Sequence, residues 1–294
     1  MSLSNGEKIR FMISGNTGLV GGALRRFLSP RHQVLALSRD CSGDQGCVPF
    51  DLRRMADFDF SRIGGGDVVA HAAAISSPDY CAEHPDRARS VNVDGTIAFI
   101  EGCRRRGARV LFFSTDLVLG SGRGLDEDSP YRPVGEYAAM KQEVENYFAS
   151  DEGVKVLRLS YVVSVRDKYI RYLAACAGRG EVAEVFDPLC RSAVALRDVC
   201  RAVEEIAGRW GELDWRSVNL CGPQLLSRRD LAEIFKRTVD PGLEYTVVHP
   251  GEDFFLSRPE VVELTSNRLR DLLGRSPLRI EEALAAEHTS QRKD

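Results

Sequence analysis

The stretch IRFMISGNTGLVGGALRRFL, residues 9–28, holds an apolar run, three glycines three residues apart and a second apolar segment at helical spacing. It reads as strand, tight turn and helix. Each glycine in such a turn has a physical task. Gly15 permits the sharp turn, Gly18 lets an anion approach the backbone, and Gly21 lets helix and strand pack closely. The helix that follows presents free N–H groups to a pyrophosphate. Residues Gly15, Asn16, Thr17, Gly18, Leu19, Val20 and Gly21 are therefore the first candidates for binding a dinucleotide.

Working outward, short apolar runs recur at Gln33–Leu37, Asp67–His71, Arg109–Phe113 and Val154–Leu159. Helical spacing fills 86–106 and Tyr137–Phe148 between them. Strands that are apolar on both faces and alternate with helices imply a parallel sheet covered on both sides, an α/β doubly wound (Rossmann) fold. The alternation weakens after residue 160. Residues 1–163 are expected to form the dinucleotide-binding domain, and 164–294 mainly a smaller C-terminal substrate-binding lobe. About 191–220, with a helix at Arg197–Ala207, are expected to return to the sheet. A helix at Ser227–Val239 and a Pro/Gly-rich stretch from Pro241 to Pro259 belong to the capping lobe.

With 43% hydrophobic and 28% charged residues the composition is that of a globular protein, and no apolar run reaches the ~18–20 residues that span a bilayer. Residues Met1–Gly6 are polar and no secretory signal, and the net charge of −3 argues against a nucleic-acid surface. The short tail Gln291–Asp294 does not alter that balance. The eight cysteines are scattered and never in a C-x-x-C pair, so they read as reduced thiols in a cytoplasmic protein.

Two further clusters carry chemistry. Ser38 and Arg39 end the second strand where an acidic residue would meet a ribose hydroxyl, and they suit a 2′-phosphate, which favours NADP(H) over NAD(H). Tyr137 and Lys141 lie at i and i+4 on one helix face. An ammonium beside a phenol favours the phenolate and eases proton exchange. Ser114 and Thr115 follow an apolar strand, at the sheet edge where ligands bind, and such a hydroxyl can donate to a carbonyl oxygen as charge develops on it.

On these motifs the chain resembles an extended short-chain dehydrogenase/reductase, and within that group the dTDP-4-dehydrorhamnose reductase (RmlD-like) family. The resemblance also rests on Asp51-Leu52, on HAAA at 71–74, on CAEHP at 81–85 leading to VNV at 91–93, on FSTDLVL at 113–119, on Glu145 and on RLSYVV at 158–163. Further on it includes NLCG at 219–222, Ser227-Arg228, Arg258-Pro259, Leu264 and LLG at 272–274. It implies Thr115, Tyr137 and Lys141 as the catalytic set. Asp51, Leu52, His71, Ala72, Ala73, Asn92 and Ser114 join the glycine turn, Ser38, Arg39, Tyr137 and Lys141 around the cofactor. Ala74, Ser76, Asp116, Tyr161 and Arg191 fall to a nucleotide-sugar substrate. The family's tyrosine and phenylalanine after S-T-D are Leu117 and Leu119 here, Tyr161 replaces a tryptophan, and Ala138 a glycine. Ser164–Lys168 lacks the family's G-x-N-F look. All but the Ala138 change fall on the expected substrate side. The resemblance implies a reductase of a keto-deoxysugar nucleotide, with an epimerase or dehydratase, or a cofactor-binding regulatory subunit, as alternatives. It leaves room for Mg²⁺ at a subunit contact and for a homodimer, with no metal ligands assignable.

Other polar residues read as structural. His71 is expected to be a packed, hydrogen-bonded residue rather than a base, and His84, His249 and His288 lack ligand spacing. Arg104–Arg106 reads as a solvated helix end, Asp126–Asp128 as an exposed acidic loop, and Trp210 and Trp215 as packing residues.

Overall fold

The computed structural model describes residues 8–255 and 258–291; the readings of Met1–Gly6 and of Arg292–Asp294 lie outside them. The first half of the chain runs β1 (Arg10–Ser14), α1 (Leu19–Leu28), β2 (Gln33–Ser38), β3 (Cys47–Pro49), β4 (Val68–His71), α2 (Pro78–Glu83), α3 (Pro85–Arg89), α4 (Thr96–Arg105), β5 (Arg109–Thr115), β6 (Gly122–Leu125) and α5 (Gly135–Tyr147). The second half holds β7 (Val154–Leu159), β8 (Val162–Val163), α6 (Lys168–Arg179), β9 (Val182–Phe186), β10 (Cys190–Ser192), β11 (Val194–Ala195), α7 (Leu196–Gly208) and β12 (Ser217–Leu220). It ends with β13 (Leu225–Leu226), α8 (Arg228–Thr238), β14 (Glu244–Val248), α9 (Glu252–Phe255), β15 (Val261–Leu264), α10 (Asn267–Leu273) and α11 (Ile280–Gln291).

Seven parallel strands form the main sheet in the order β12-β7-β5-β4-β1-β2-β3. Side-chain alternation splits its core into two layers. Phe11 and Ile13 of β1 pack with Leu24, Leu28, Val199 and Val203 on one face, while Met12 packs with Phe99, Ile100 and Phe112 on the other. The strand order reverses direction between β1 and β4, and a crevice opens beyond the carboxyl ends of strands at such a switch point. The C-terminal residues join two structures. β12, α7 and α10 complete the main sheet and its cover, whereas α6, α8 and α11 enclose a separate apolar cluster around Phe235 and Leu173. A four-stranded sheet, β13-β10-β15-β6, bridges segments far apart in sequence.

Several sequence expectations need correction. Cys41 and Cys47 are joined in a disulfide, their Cα atoms 5.4 Å apart because the loop between β2 and β3 doubles back; the other six cysteines are free. Segment 86–106 is not one regular helix, since a π-turn over Ser90–Gly95 separates α3 from α4. Arg104 is half-buried against Asp151 at 2.9 Å, whereas Arg105 and Arg106 are exposed as a solvated helix end should be, Arg106 also donating to the Ile63 carbonyl. Glu127 turns inward and accepts from the Asn219 N–H at 3.0 Å and from the Ser266 hydroxyl. Trp210 and Trp215 pack against the main core as expected, and they also flank the Lys155 ammonium, which donates to the carbonyls of Leu213 and Trp215. Among the described residues no helix is long and apolar enough to cross a membrane, and no cluster of three metal-ligating side chains occurs.

Candidate active site

The glycine turn leaves β1 with Gly15 at φ +72°, a left-handed conformation that a side chain disfavours. A Cβ on Gly15 would lie 2.8 Å from the backbone of Ala72, and one on Gly21 would lie 2.3 Å from the Gly15 carbonyl oxygen. Both positions are therefore closed to any larger residue. Gly18 caps α1 without a side-chain bond, and no acidic residue occupies the first turn. The amides at this ten-residue helix's start are thus free to meet an anion.

A cleft of about 500 Å³ runs from this turn along the carboxyl edge of the sheet. Residues 15–21, Ser38, Arg39, Asp51, Leu52, Ala72, Ala73, Ala74, Ser76, Ser114, Tyr137 and Lys141 all line it. At one end Arg53 pairs with Asp51 at 2.6 Å and holds that carboxyl down to about 2. Arg53 and Phe50 also line the cleft and were missed from sequence; their only signal was adjacency to Asp51-Leu52. Asp40, next to Arg39, accepts from the Ser42 N–H and so faces its own loop.

At the other end Tyr137 and Lys141 project from α5. Lys141 is 2% exposed, and its Nζ donates to the Phe113 carbonyl at 2.8 Å and sits 4.5 Å from the Phe112 ring centre. Burial pushes this lysine down to about 8, against an upward pull from the Glu145 carboxylate. Burial, with Cys81 and Asp116 nearby, pushes the Tyr137 phenol up. The pair is thus a protonated phenol beside a cation whose charge is sensitive to its surroundings.

The remaining candidates do not line the cleft. Thr115 is buried, donates to Asp116 Oδ1 at 3.1 Å and accepts from the Leu117 N–H. Asp116 is pushed up by burial, opposed by Arg191, whose Nε lies 3.7 Å from Oδ2. Tyr161 is held in the C-terminal lobe, donating to Asp167 and accepting from Arg228, whose guanidinium covers its ring at 4.1 Å. Leu117 and Leu119 join Val262 and Leu264 in an apolar cluster, so the missing aromatics reshape the junction of the two lobes rather than the cleft wall. Asn92, in the π-turn, clasps Ile75 through both backbone atoms at 2.9 Å and so fixes a wall of the cleft. His71 is fully buried beneath it. Ser14 Oγ accepts from the Ala73 N–H at 3.2 Å and donates to His71 Nδ1 at 2.8 Å, which leaves the Nε2 hydrogen for Thr96 at 3.3 Å. Burial of the ring favours its neutral form, with which this chain agrees.

Three comparisons bear on this geometry. The family model described as RmlD substrate binding domain matches residues 9–290. A UDP-glucose 4-epimerase from Streptomyces lividans is 28% identical over 86% of this chain and 79% of its own length. A dTDP-4-dehydrorhamnose reductase from Mycolicibacterium smegmatis is 30% identical, over 52% of this chain and 46% of that protein. In structure, the dTDP-glucose 4,6-dehydratase DesIV of Streptomyces venezuelae, solved with NAD and TYD bound, superposes with a TM-score of 0.79 at 22% identity, covering 97% of this chain and 98% of its own.

Proposed function

The chain belongs to the RmlD substrate binding domain family, and from that premise we propose that it is an NAD(P)H-dependent reductase of a keto group on a nucleotide-activated deoxysugar. The observation that carries the reading is the placement of Tyr137 and Lys141 in the same cleft as the glycine turn. The glycine turn and the uncapped start of α1 fit a pyrophosphate, and the walls at Asp51, Leu52 and Phe50 fit an adenosine. Ser38 and Arg39 at the cleft's edge favour a cofactor with a 2′-phosphate.

A bound nicotinamide cofactor supplies hydride to the carbonyl carbon. Tyr137 then donates its phenolic proton to the carbonyl oxygen as negative charge develops there, and Lys141 lowers the cost of the phenolate left behind. The upward push of burial on Tyr137 keeps the donor protonated at neutral pH before the reaction. Thr115 orders Asp116 and the turn that follows β5, and the Asp116–Arg191 pair joins that turn to the second lobe. The match to the S. lividans enzyme favours a 4-epimerase as second reading, run by the same residues with NAD⁺ retained through the cycle. An intact Thr115, Tyr137 and Lys141 set weighs against a purely regulatory subunit.

The test is to add a dTDP-4-keto-6-deoxyhexose to the protein with NADPH or NADH and follow the reduced-nicotinamide absorbance. Stoichiometric loss supports the reductase. Inversion at C4 of a nucleotide hexose that carries a C4 hydroxyl, supplied with NAD⁺ and with no net gain of reduced-nicotinamide absorbance, supports the epimerase instead. Tyr137→Phe should abolish turnover and leave cofactor affinity within about twofold; undiminished turnover would sink the assignment.

A further inference from the structure

Directly behind the Tyr137–Lys141 pair on α5, one further turn along the same face, lies Glu145, 3% exposed. Its carboxylate collects donors from three other segments. Ser114 of β5 donates to Oε1, while Tyr131 at 2.8 Å and Arg158 of β7 at 3.0 Å donate to Oε2. Arg158 in turn donates to the Tyr131 hydroxyl and to the Glu127 carbonyl, and the Glu127 carboxylate holds Asn219 and Ser266. A buried carboxylate so fully bonded is costly to place and has no packing role that an apolar side chain would not fill as well.

We infer that Glu145 is a positioning residue of this site, a buried counter-charge that keeps Lys141 in its ammonium form while anchoring α5 to β5, β7 and the Tyr131 loop. The inference rests on the reading that Lys141 acts through its charge. The groups around the lysine lie on β4, α2, β5 and α5 itself. His71 of β4 is held neutral by burial, and Cys81 of α2 is a thiol pushed up by burial. Phe112 and Phe113 of β5 offer a ring face and a carbonyl, and Tyr137 a phenol. Glu145 is the full negative charge among them, and Arg158 lies on its far side, bound to the same carboxylate. Ser114 and Tyr131, neutral donors, leave that charge in place.

The experiment is a pH titration of the full chain labelled with [¹³Cε]lysine, with no cofactor or substrate added, the Lys141 signal assigned by its loss in Lys141→Met. In Glu145→Gln the Lys141 midpoint is expected to fall by about one pH unit, a tenfold loss of proton affinity, and in Glu145→Asp to return toward the wild-type value. A folded Glu145→Gln protein with an unmoved midpoint overturns the inference. If that variant does not fold, Glu145→Gln combined with Arg158→Met leaves no buried charge unpaired; a smaller fall in the same direction is expected, because the more distant Arg158 cation is lost with the carboxylate, and an unmoved midpoint again overturns it. Because no turnover is measured, this result stands apart from whether NADPH is consumed with a keto-sugar.

Discussion

His71 offers a sharp thermodynamic test of the cleft's foundation. The ring is fully buried between Phe99 and Phe112, with Ser14 on one nitrogen and Thr96 on the other. Burial, and secondarily the Lys141 charge, push it from 6.5 down to about 3. Between those two values the unfolded chain binds a proton that the folded chain refuses, so stability rises with pH across that window. It is fully present above pH 6.5 and is lost progressively as pH falls toward 3. Each pH unit in the window is worth about 1.4 kcal/mol, so going from pH 7 to pH 5 withdraws about 2 kcal/mol through this one ring. The assay is urea denaturation at both pH values for the wild type and for His71→Gln. The variant is expected to be less stable at pH 7, having lost ring packing, yet its stability should change by about 2 kcal/mol less between the two pH values. Carboxylate titrations are common to both proteins and cancel. Equal pH dependence in the two proteins would refute the argument that this ring is held neutral.

Three further outcomes are expected. Gly21→Ala forces a Cβ to within 2.3 Å of the Gly15 carbonyl oxygen, so the turn must open. At about 1–3 kcal/mol for such overpacking, NADPH affinity by fluorescence titration should fall on the order of tenfold or more, and unchanged binding would contradict the assigned anion site. Arg39→Ala should weaken NADPH by about 2 kcal/mol, roughly thirtyfold, and NADH little; equal losses would remove the 2′-phosphate role. Alkylation in denaturant without reductant should label six cysteines and with reductant all eight, as the Cys41–Cys47 bond requires, whereas eight in both conditions would disprove it.

The legible part of this protein is the part built from contiguous residues. Strands β1, β4, β5 and β7 are buried on both faces, so their apolar runs announced them, and the glycine turn carries its steric demands in its own spacing. Where a distant partner sets a residue's surroundings, the sequence shows at most the element and not what makes it possible; Val154–Leu159 reads as a strand, but its buried lysine goes unexplained. Lys155 sits in a buried strand because two tryptophans and two carbonyls some 60 residues later surround its ammonium. Cys41 and Cys47 share no recognised spacing; a loop brings them together. The π-turn at Ser90–Gly95 keeps helical periodicity on either side, so nothing in the apolar pattern marks it, although it is what turns Asn92 toward Ile75.

The same distinction separates the two halves of the candidate site. The end of the cleft proposed for a cofactor is built from backbone turns at the ends of strands, and a turn needs only its own residues to be recognised. The residues the resemblance gives to a substrate depend on partners distant in sequence: Asp116 with Arg191, Tyr161 with Arg228, and β6 against β15 some 140 residues later. A residue type quoted from a motif cannot say whether its side chain reaches the cleft or a neighbour. Tyr161 and Leu117 stand where the family motif places substrate contacts, yet one is clamped by an arginine and the other packs with Val262. A change of sugar specificity in this chain would accordingly be sought at Leu117, Arg191 and Arg228 together, since each alone leaves its partner's position undetermined.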